Sequence, residues 1–190
     1  WTAKKRYILN CWDIEGVRYK EPQLKMMGIE AVKSSTPAPC RDKIKEAMKI
    51  IMTGDEKMLN TFIQEFREEF MELSPEDIAF PRSCNGVSKF TGESSLFAKG
   101  APIHVKGAIL YNYLLDKEKL EGKFPKIQEG DKIKFLNMKQ PNIYQSSAFS
   151  FITSFPRELD LLDRIDYDAQ FDKSFVEPLR FITEKMNWLI

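Results

Sequence analysis

Lys4-Lys5-Arg6-Tyr7 places three cations and a phenol in four consecutive positions near the start of the chain. On an extended strand side chains alternate, so Lys5 and Tyr7 share one face while Lys4 and Arg6 share the other. A cation and a phenol side by side on a rigid strand can hold a phosphate or reach an acceptor in a minor groove. The same four residues can also be a charged strand end that caps a sheet, and spacing alone leaves both readings open.

Other candidates are sparser. His104, two residues from Lys106, is either a phosphate contact or a loop histidine. With one histidine and three widely separated cysteines (Cys11, Cys40 and Cys84), the chain offers no paired zinc spacing, no histidine-rich metal site and no Ser-His-Asp triad. Nothing in the cysteine pattern points to an oxidising compartment. Cys40, beside Arg41 at a helix start, is either a thiol of lowered pKa or a structural one. Asp13 with Glu15, and Asp166 with Asp168, read as a turn former and a helix cap in preference to a catalytic metal pair. Trp1, Trp12 and Trp188 have no spacing that suggests a ligand cage.

The elements that must position these groups are legible in outline. Tyr7 to Trp12 is rich in strand formers, Asp13-Ile14-Glu15-Gly16 supplies a turn, and Val17-Arg18-Tyr19 resumes the strand pattern. Leu24 to Met27 adds a third short strand before Gly28. Thr36 then caps a helix with Pro37 at its first position, Ile44, Ala47, Met48 and Ile51 on one face, and Gly54 at its end. Asp55 caps a second helix whose stripe of Leu59, Phe62, Ile63, Phe66, Phe70 and Leu73 reads as core, not as a stacking platform for bases. So short a turn predicts antiparallel helices, and Ser74-Pro75 ends the second.

From Pro81 to Pro102 the Gly-, Ser- and Lys-bearing chain reads as an irregular surface loop. Pro102 opens a helix running through Tyr111 and Leu115, and Asp116 to Lys126 is a charged connector. Strands are expected over 132–138 and 148–152, with a turn at Pro141-Asn142. A final helix from Asp168 carries Phe171, Phe175, Leu179, Ile182 and Met186 on one side, and Pro178 inside it predicts a kink. The fold class is α+β: a small antiparallel β segment followed by a mostly helical remainder with a few short strands.

In its 190 residues the chain is 43% apolar and 30% charged, the balance of an ordinary folded protein. No apolar run approaches the roughly 20 residues that span a bilayer, so no membrane partner is expected. The net charge of +1 hides a segregation. Basic residues dominate from Lys4 to Lys49 and from Lys89 to Lys139, and acidic ones from Asp55 to Asp77 and from Glu158 to Glu184. Such a chain can turn a basic face to a polyanion, or simply carry solvated helix faces. Beginning at Trp1 in a strand pattern and ending at Ile190 just after a helical one, it reads as a piece of something larger.

KKRYILNCWDIEGVRYKEPQLKMMGIEAVKSSTP resembles the segment that ends the palm domain of T-even-type bacteriophage DNA polymerases, of family B. The features follow in order: KKRY, a WD-x-EG turn, a K-x-MG-x-E stretch, and SSTP opening the thumb. Pro102 to Gly107 resembles that family's P-F-H-I-R-G segment, and FDKSFVEPL at Phe171 to Leu179 its closing thumb helix. The resemblance covers nearly the whole chain and implies palm tip over 1–36 and thumb over 37–190.

Residue by residue, Lys5 and Tyr7 match the pair that touches the primer strand near its 3′ end, the lysine at minor-groove acceptors and the tyrosine at the backbone. Lys4 and Arg6 flank them as backbone contacts or strand supports. Lys89, Lys99, His104 and Lys106 match basic thumb positions that hold the duplex, and Lys139 lies near another. Two departures stand out. Lys106 replaces an arginine, turning a bidentate phosphate fork into a point charge, and Tyr144-Gln145-Ser146-Ser147 lacks the basic residue expected after that turn.

The metal-binding aspartate motifs of the family and its fingers lysine are absent from this sequence. The resemblance therefore implies a fragment that grips DNA without polymerising alone, with no cofactor of its own and Mg2+ held elsewhere in a full-length polymerase. Its partners are primer-template duplex and the remainder of the polymerase chain, with a sliding clamp for the full-length protein. Asn187-Trp188-Leu189-Ile190 does not resemble the family's clamp-binding tail, which is expected to lie outside this sequence. The setting is the cytoplasm of an infected bacterial host. A different class of reading is a stand-alone interaction subunit of a split polymerase that docks onto a catalytic chain.

Overall fold

The computed structural model describes residues 6–190, so Lys4 and Lys5 lie outside the described residues. In chain order the elements are β1 (Tyr7–Ile14), β2 (Val17–Met27), α1 (Ala38–Thr53), α2 (Glu56–Met71), α3 (Pro75–Ile78), β3 (Phe80–Ser83) and α4 (Val87–Phe90). There follow α5 (Ile103–Lys117), β4 (Lys132–Asn137), β5 (Ala148–Phe151), α6 (Tyr167–Phe171) and α7 (Glu177–Thr183), with short 3-10 turns between. The α+β class holds. The chain forms two compact units: one reaches Glu72 and resumes over Phe171–Ile190, and the other is Leu73–Gln170. Position 36, the expected palm–thumb boundary, falls inside the first of these.

In the first unit β1 and β2 form one antiparallel hairpin with Ile14 paired to Val17. Glu15 and Gly16 both adopt positive φ, the conformation a tight two-residue hairpin turn demands, and Asp13 Oδ1 accepts the Gly16 N–H at 3.0 Å. The third strand expected at Leu24 to Met27 is instead the end of a continuous β2. Pro22, which lacks an N–H, sits where the register shifts opposite Trp12, the kind of irregularity that tolerates proline.

Helix α1 begins one residue later than expected, with Pro37 at the N-cap position, and buries Ile44, Ala47, Met48 and Ile51 as the periodicity predicts. Asp55 caps α2 by accepting the Met58 N–H at 2.8 Å. The α2 stripe meets the C-terminal segment: Phe66 lies 4.7 Å from Phe175 and 5.7 Å from Phe171, and Phe70 lies 5.2 Å from Phe171. The irregularity expected from Pro178 is a π turn over Asp172–Val176 just before it, which widens the helix where an ordinary backbone hydrogen bond is missing. Met186, expected on the apolar side, falls in a 3-10 turn and is exposed.

The second unit is a three-stranded antiparallel sheet in the order β3-β4-β5, with α5 against β5. The irregular loop expected from 81 to 102 is more ordered than its composition implies. Phe80–Ser83 pairs with β4 as an edge strand, where Pro81 is tolerated. The Glu129 carboxylate accepts the Gly86 and Ser88 N–H groups at 2.7 and 3.0 Å and so starts α4. Both partners lie more than forty residues away, beyond the reach of a local pattern.

Helix α5 is apolar nearly all round, burying Val105, Gly107, Ala108, Ile109, Leu110, Tyr111, Leu114 and Leu115, the mark of a core helix. Phe149 is 5.9 Å from Tyr111 and 5.7 Å from Phe155, which continues that core. Gly107 sets the helix-to-sheet distance. A Cβ there would lie 2.4 Å from Ser150 Oγ, 2.7 Å from Ser150 N and 2.9 Å from the Phe149 carbonyl carbon. Two of those three atoms are backbone and have no rotamer to move to. Gly107→Ala is therefore expected to lower stability by about 1–3 kcal/mol in spite of alanine's better helix propensity, and Ser150→Ala should not rescue it. Thermal unfolding of both variants and the double mutant checks this; a rescued double mutant would place the clash in the hydroxyl alone.

Candidate nucleic-acid interface

Of the KKRY residues, Arg6 and Tyr7 are described. Arg6 is engaged within the protein: its guanidinium donates to Glu30 Oε2 at 2.6 Å and lies 4.2 Å from the centre of the Phe181 ring. Glu30 also accepts from Lys33 at 3.0 Å. That pairing fixes the start of β1, with Tyr7 half-buried in register with Met27. In the same unit, an open groove of about 680 Å³ runs between the β2 residues Glu21, Gln23 and Leu24 and the α1 residues Lys45, Lys49 and Met52. Lys45 is bonded to Asp42 at 3.1 Å, whereas the Lys49 ammonium makes no ion pair among the described residues.

In the second unit the expected cations fall on distinct elements. Lys89 is exposed on α4, its ammonium 5.1 Å from the Phe90 ring, and Lys99 is exposed in the segment before α5. His104 and Lys106 occupy the first turn of α5, so His104 belongs to a helix and not to a loop. No acidic residue stands in that turn, and the N-terminal end of a helix favours anions. The Ser150 hydroxyl donates to the His104 carbonyl at 2.8 Å, tying this turn to β5. Lys139, just past β4, donates from its ammonium to the Asp163 carbonyl at 3.0 Å.

Arg82 escaped the sequence reading. It lies on β3, with its guanidinium 5.8 Å from the Phe80 ring and 5.6 Å from the Phe135 ring. The His104 ring is 6.2 Å from that same Phe135 ring. Two basic side chains from a strand and a helix thus converge on one aromatic, a juxtaposition that only the β3–β4 pairing creates. Partial burial, and then the charge of Arg82, hold the His104 imidazole below its ordinary range.

The remaining reactive groups are quiet. Burial pushes the Cys40 thiol up to about 11, opposed by the Ser174 hydroxyl 3.3 Å from its Sγ. Burial, with Glu129 and Asp131 nearby, pushes Cys84 up to about 11 as well. Both thiols are fully buried, and Cys40 packs as a structural thiol. Among the described residues no three histidine, cysteine or carboxylate groups come close enough to hold a metal. Asp166 instead caps α6 through the Ala169 N–H at 2.9 Å. No described helix is long and apolar enough to cross a membrane.

No protein-family model matches the chain. It is 34% identical over 188 residues to the DNA-directed DNA polymerase of Escherichia phage RB69, covering 96% of this chain and 20% of that protein. It is 31% identical over 188 residues to the DNA-directed DNA polymerase of Enterobacteria phage T4, covering 97% of this chain and 20% of that one. The chain thus spans a fifth of the length of these relatives. Its fold is similar, with a TM-score of 0.55 at 16% identity, to part of the family B DNA polymerase of the hyperthermophilic archaeon Pyrobaculum calidifontis, covering 96% of this chain and 20% of that one.

A lowered imidazole pKa carries a sign. The unfolded chain binds a proton that the folded His104 resists, so the folded state loses stability as pH falls through the ordinary histidine range, near 6.5. Between about pH 7.5 and 5.5 the wild-type melting temperature is expected to fall further than that of His104→Gln. Equal falls would mean that the imidazole does not sense burial or Arg82.

Proposed function

We propose that this chain, 31–34% identical over 188 residues to a fifth of two bacteriophage DNA-directed DNA polymerases, grips primer-template duplex as the palm tip (1–36) and thumb (37–190) of a family B enzyme. The observation that carries this reading is the first turn of α5. His104 and Lys106 stand at an acid-free helix start, with Arg82 beside the histidine on the adjoining strand. Neutral His104 donates a hydrogen bond to a phosphate oxygen, Lys106 supplies a point charge, and Arg82, one of whose N–H groups donates to the Pro81 carbonyl at 2.8 Å, adds its positive charge. Lys89, Lys99 and Lys139 extend the positive surface along the same unit. Such contacts fall on the sugar-phosphate backbone, so binding is independent of sequence and sensitive to salt.

In the other unit, Tyr7 meets the primer strand, with Lys5 as its partner by the family resemblance, while Arg6, held by Glu30 and Phe181, keeps β1 in place. The phosphoryl-transfer carboxylates and their Mg2+ belong to the rest of the polymerase chain, as does a sliding-clamp peptide. The place of action is the cytoplasm of the infected host.

A second reading, a separately encoded subunit docking onto a catalytic chain, is favoured by the hairpin. Trp12 is 61% exposed and Val17 56%, with Met27 at 46%, an apolar surface that suits burial against further polypeptide. The two readings share the DNA contacts and differ in whether the catalytic carboxylates are covalently attached.

Fluorescence anisotropy of the chain with labelled primer-template duplex, titrated across salt, tests the proposal. Binding that prefers a recessed duplex to single strand, and whose log K falls with log salt by roughly 0.9 for each phosphate contacted, is the expected result. Absence of binding at low salt contradicts it.

A further inference from the structure

We propose that Arg164, laid against Tyr144 beside Lys139, is a phosphate-binding residue at the turn between β4 and β5. This inference rests on the duplex-gripping reading and adds to it a cation that the local sequence of the turn does not contain: Tyr144-Gln145-Ser146-Ser147 is uncharged. Arg164 comes from a segment some twenty residues further on. It is brought to the turn by an isolated antiparallel bridge between Met138 and Ile165, and by the Lys139 N–H donated to the Arg164 carbonyl at 2.8 Å.

The turn is braced so that the aromatic support is fixed. Asn142 donates from Nδ2 to the Lys139 carbonyl at 2.9 Å and to the Ser146 carbonyl at 2.7 Å, and accepts the Tyr144 N–H at 3.0 Å. The Arg164 guanidinium carbon sits 6.0 Å from the centre of the Tyr144 ring. A guanidinium resting on a ring keeps its N–H edge free for an oxyanion while its freedom of movement is reduced. Among the described residues, no protein acceptor takes any of the guanidinium's donors and no carboxylate pairs with it. Donors in that state are open to an acceptor from outside the chain or to water.

Of the acids close in sequence, Asp166 is engaged elsewhere. Asp163 meets Lys139 through its backbone carbonyl at 3.0 Å, and the Asp166 carboxylate caps α6. Lys139 gives one of its three protons to that carbonyl and has two left for an anion. Arg164, planar and propped, and Lys139, a point charge, are thus joined beside one turn by the Lys139 N–H to Arg164 carbonyl bond. A backbone phosphate takes donors of both kinds.

The test uses the full chain and primer-template duplex, with three variants read by the slope of log K against log salt. Arg164→Gln is expected to make the slope shallower by about 0.9, the loss of one phosphate contact, and to weaken binding at low salt. Arg164→Lys should restore most of the slope, which a merely structural arginine would not do. Tyr144→Ala should weaken binding with the charge still present, because the support is gone. Wild-type binding with an unchanged Arg164→Gln slope overturns this inference alone. Failure of the wild-type chain to bind duplex overturns the duplex-gripping reading and this inference with it. Circular dichroism of each variant separates lost contacts from lost folding.

Discussion

The close approach of α5 to β5 at Gly107 is the constraint on which the second unit depends. With no side chain at 107, the helix backbone sits directly against Ser150 and Phe149, and the Ser150 hydroxyl can reach the His104 carbonyl one turn earlier. That contact fixes the height and rotation of the first helical turn, and with it the positions of His104 and Lys106. It also lets Tyr111, further along the helix, pack on Phe149 and send its hydroxyl to the Pro125 carbonyl at 3.0 Å. Raising the helix by even the width of a methyl group would loosen the aromatic core and move the cations together.

A different device stabilises the first unit. Its interior is a column of phenylalanines contributed by α2 and by the chain's final segment, with edge-to-face rings at 4.7 to 5.9 Å. Such pairs add about 0.5–1.5 kcal/mol each beyond the burial of their area. Arg6 joins β1 to the same C-terminal segment through Phe181. Strand β1 is thereby anchored to a residue some 175 positions distant, the kind of rigid support that a binding residue requires.

What the sequence revealed and what it hid divide along a physical line. Interactions local in sequence were readable: the Asp55 cap, the α2 stripe, the Glu15-Gly16 turn and the apolar face of α1 all follow from spacing within a few residues. Features created by distant pairing were not. β3 exists because β4 lies about fifty residues on, α4 starts on the carboxylate of Glu129, and Pro22 is accommodated among the extra β2 residues where the β1–β2 register shifts. The candidate site shows the same split. The KKRY segment and the His104-Lys106 pair announce themselves by composition, whereas Arg82 and Arg164 acquire meaning only when strand pairing carries them to His104 and Tyr144.

The central claim is that the charged elements of each unit, and not their aromatic interiors, meet nucleic acid. Hydrogen–deuterium exchange of the chain with and without primer-template duplex addresses this most directly, since it reports every segment at once. The account predicts protection concentrated at β1, at 86–106 around α4 and the start of α5, and at 139–146, with α2 unchanged. Protection confined to the exposed hairpin turn at Trp12 to Val17, or spread over α2 while the start of α5 stays unaltered, would contradict it.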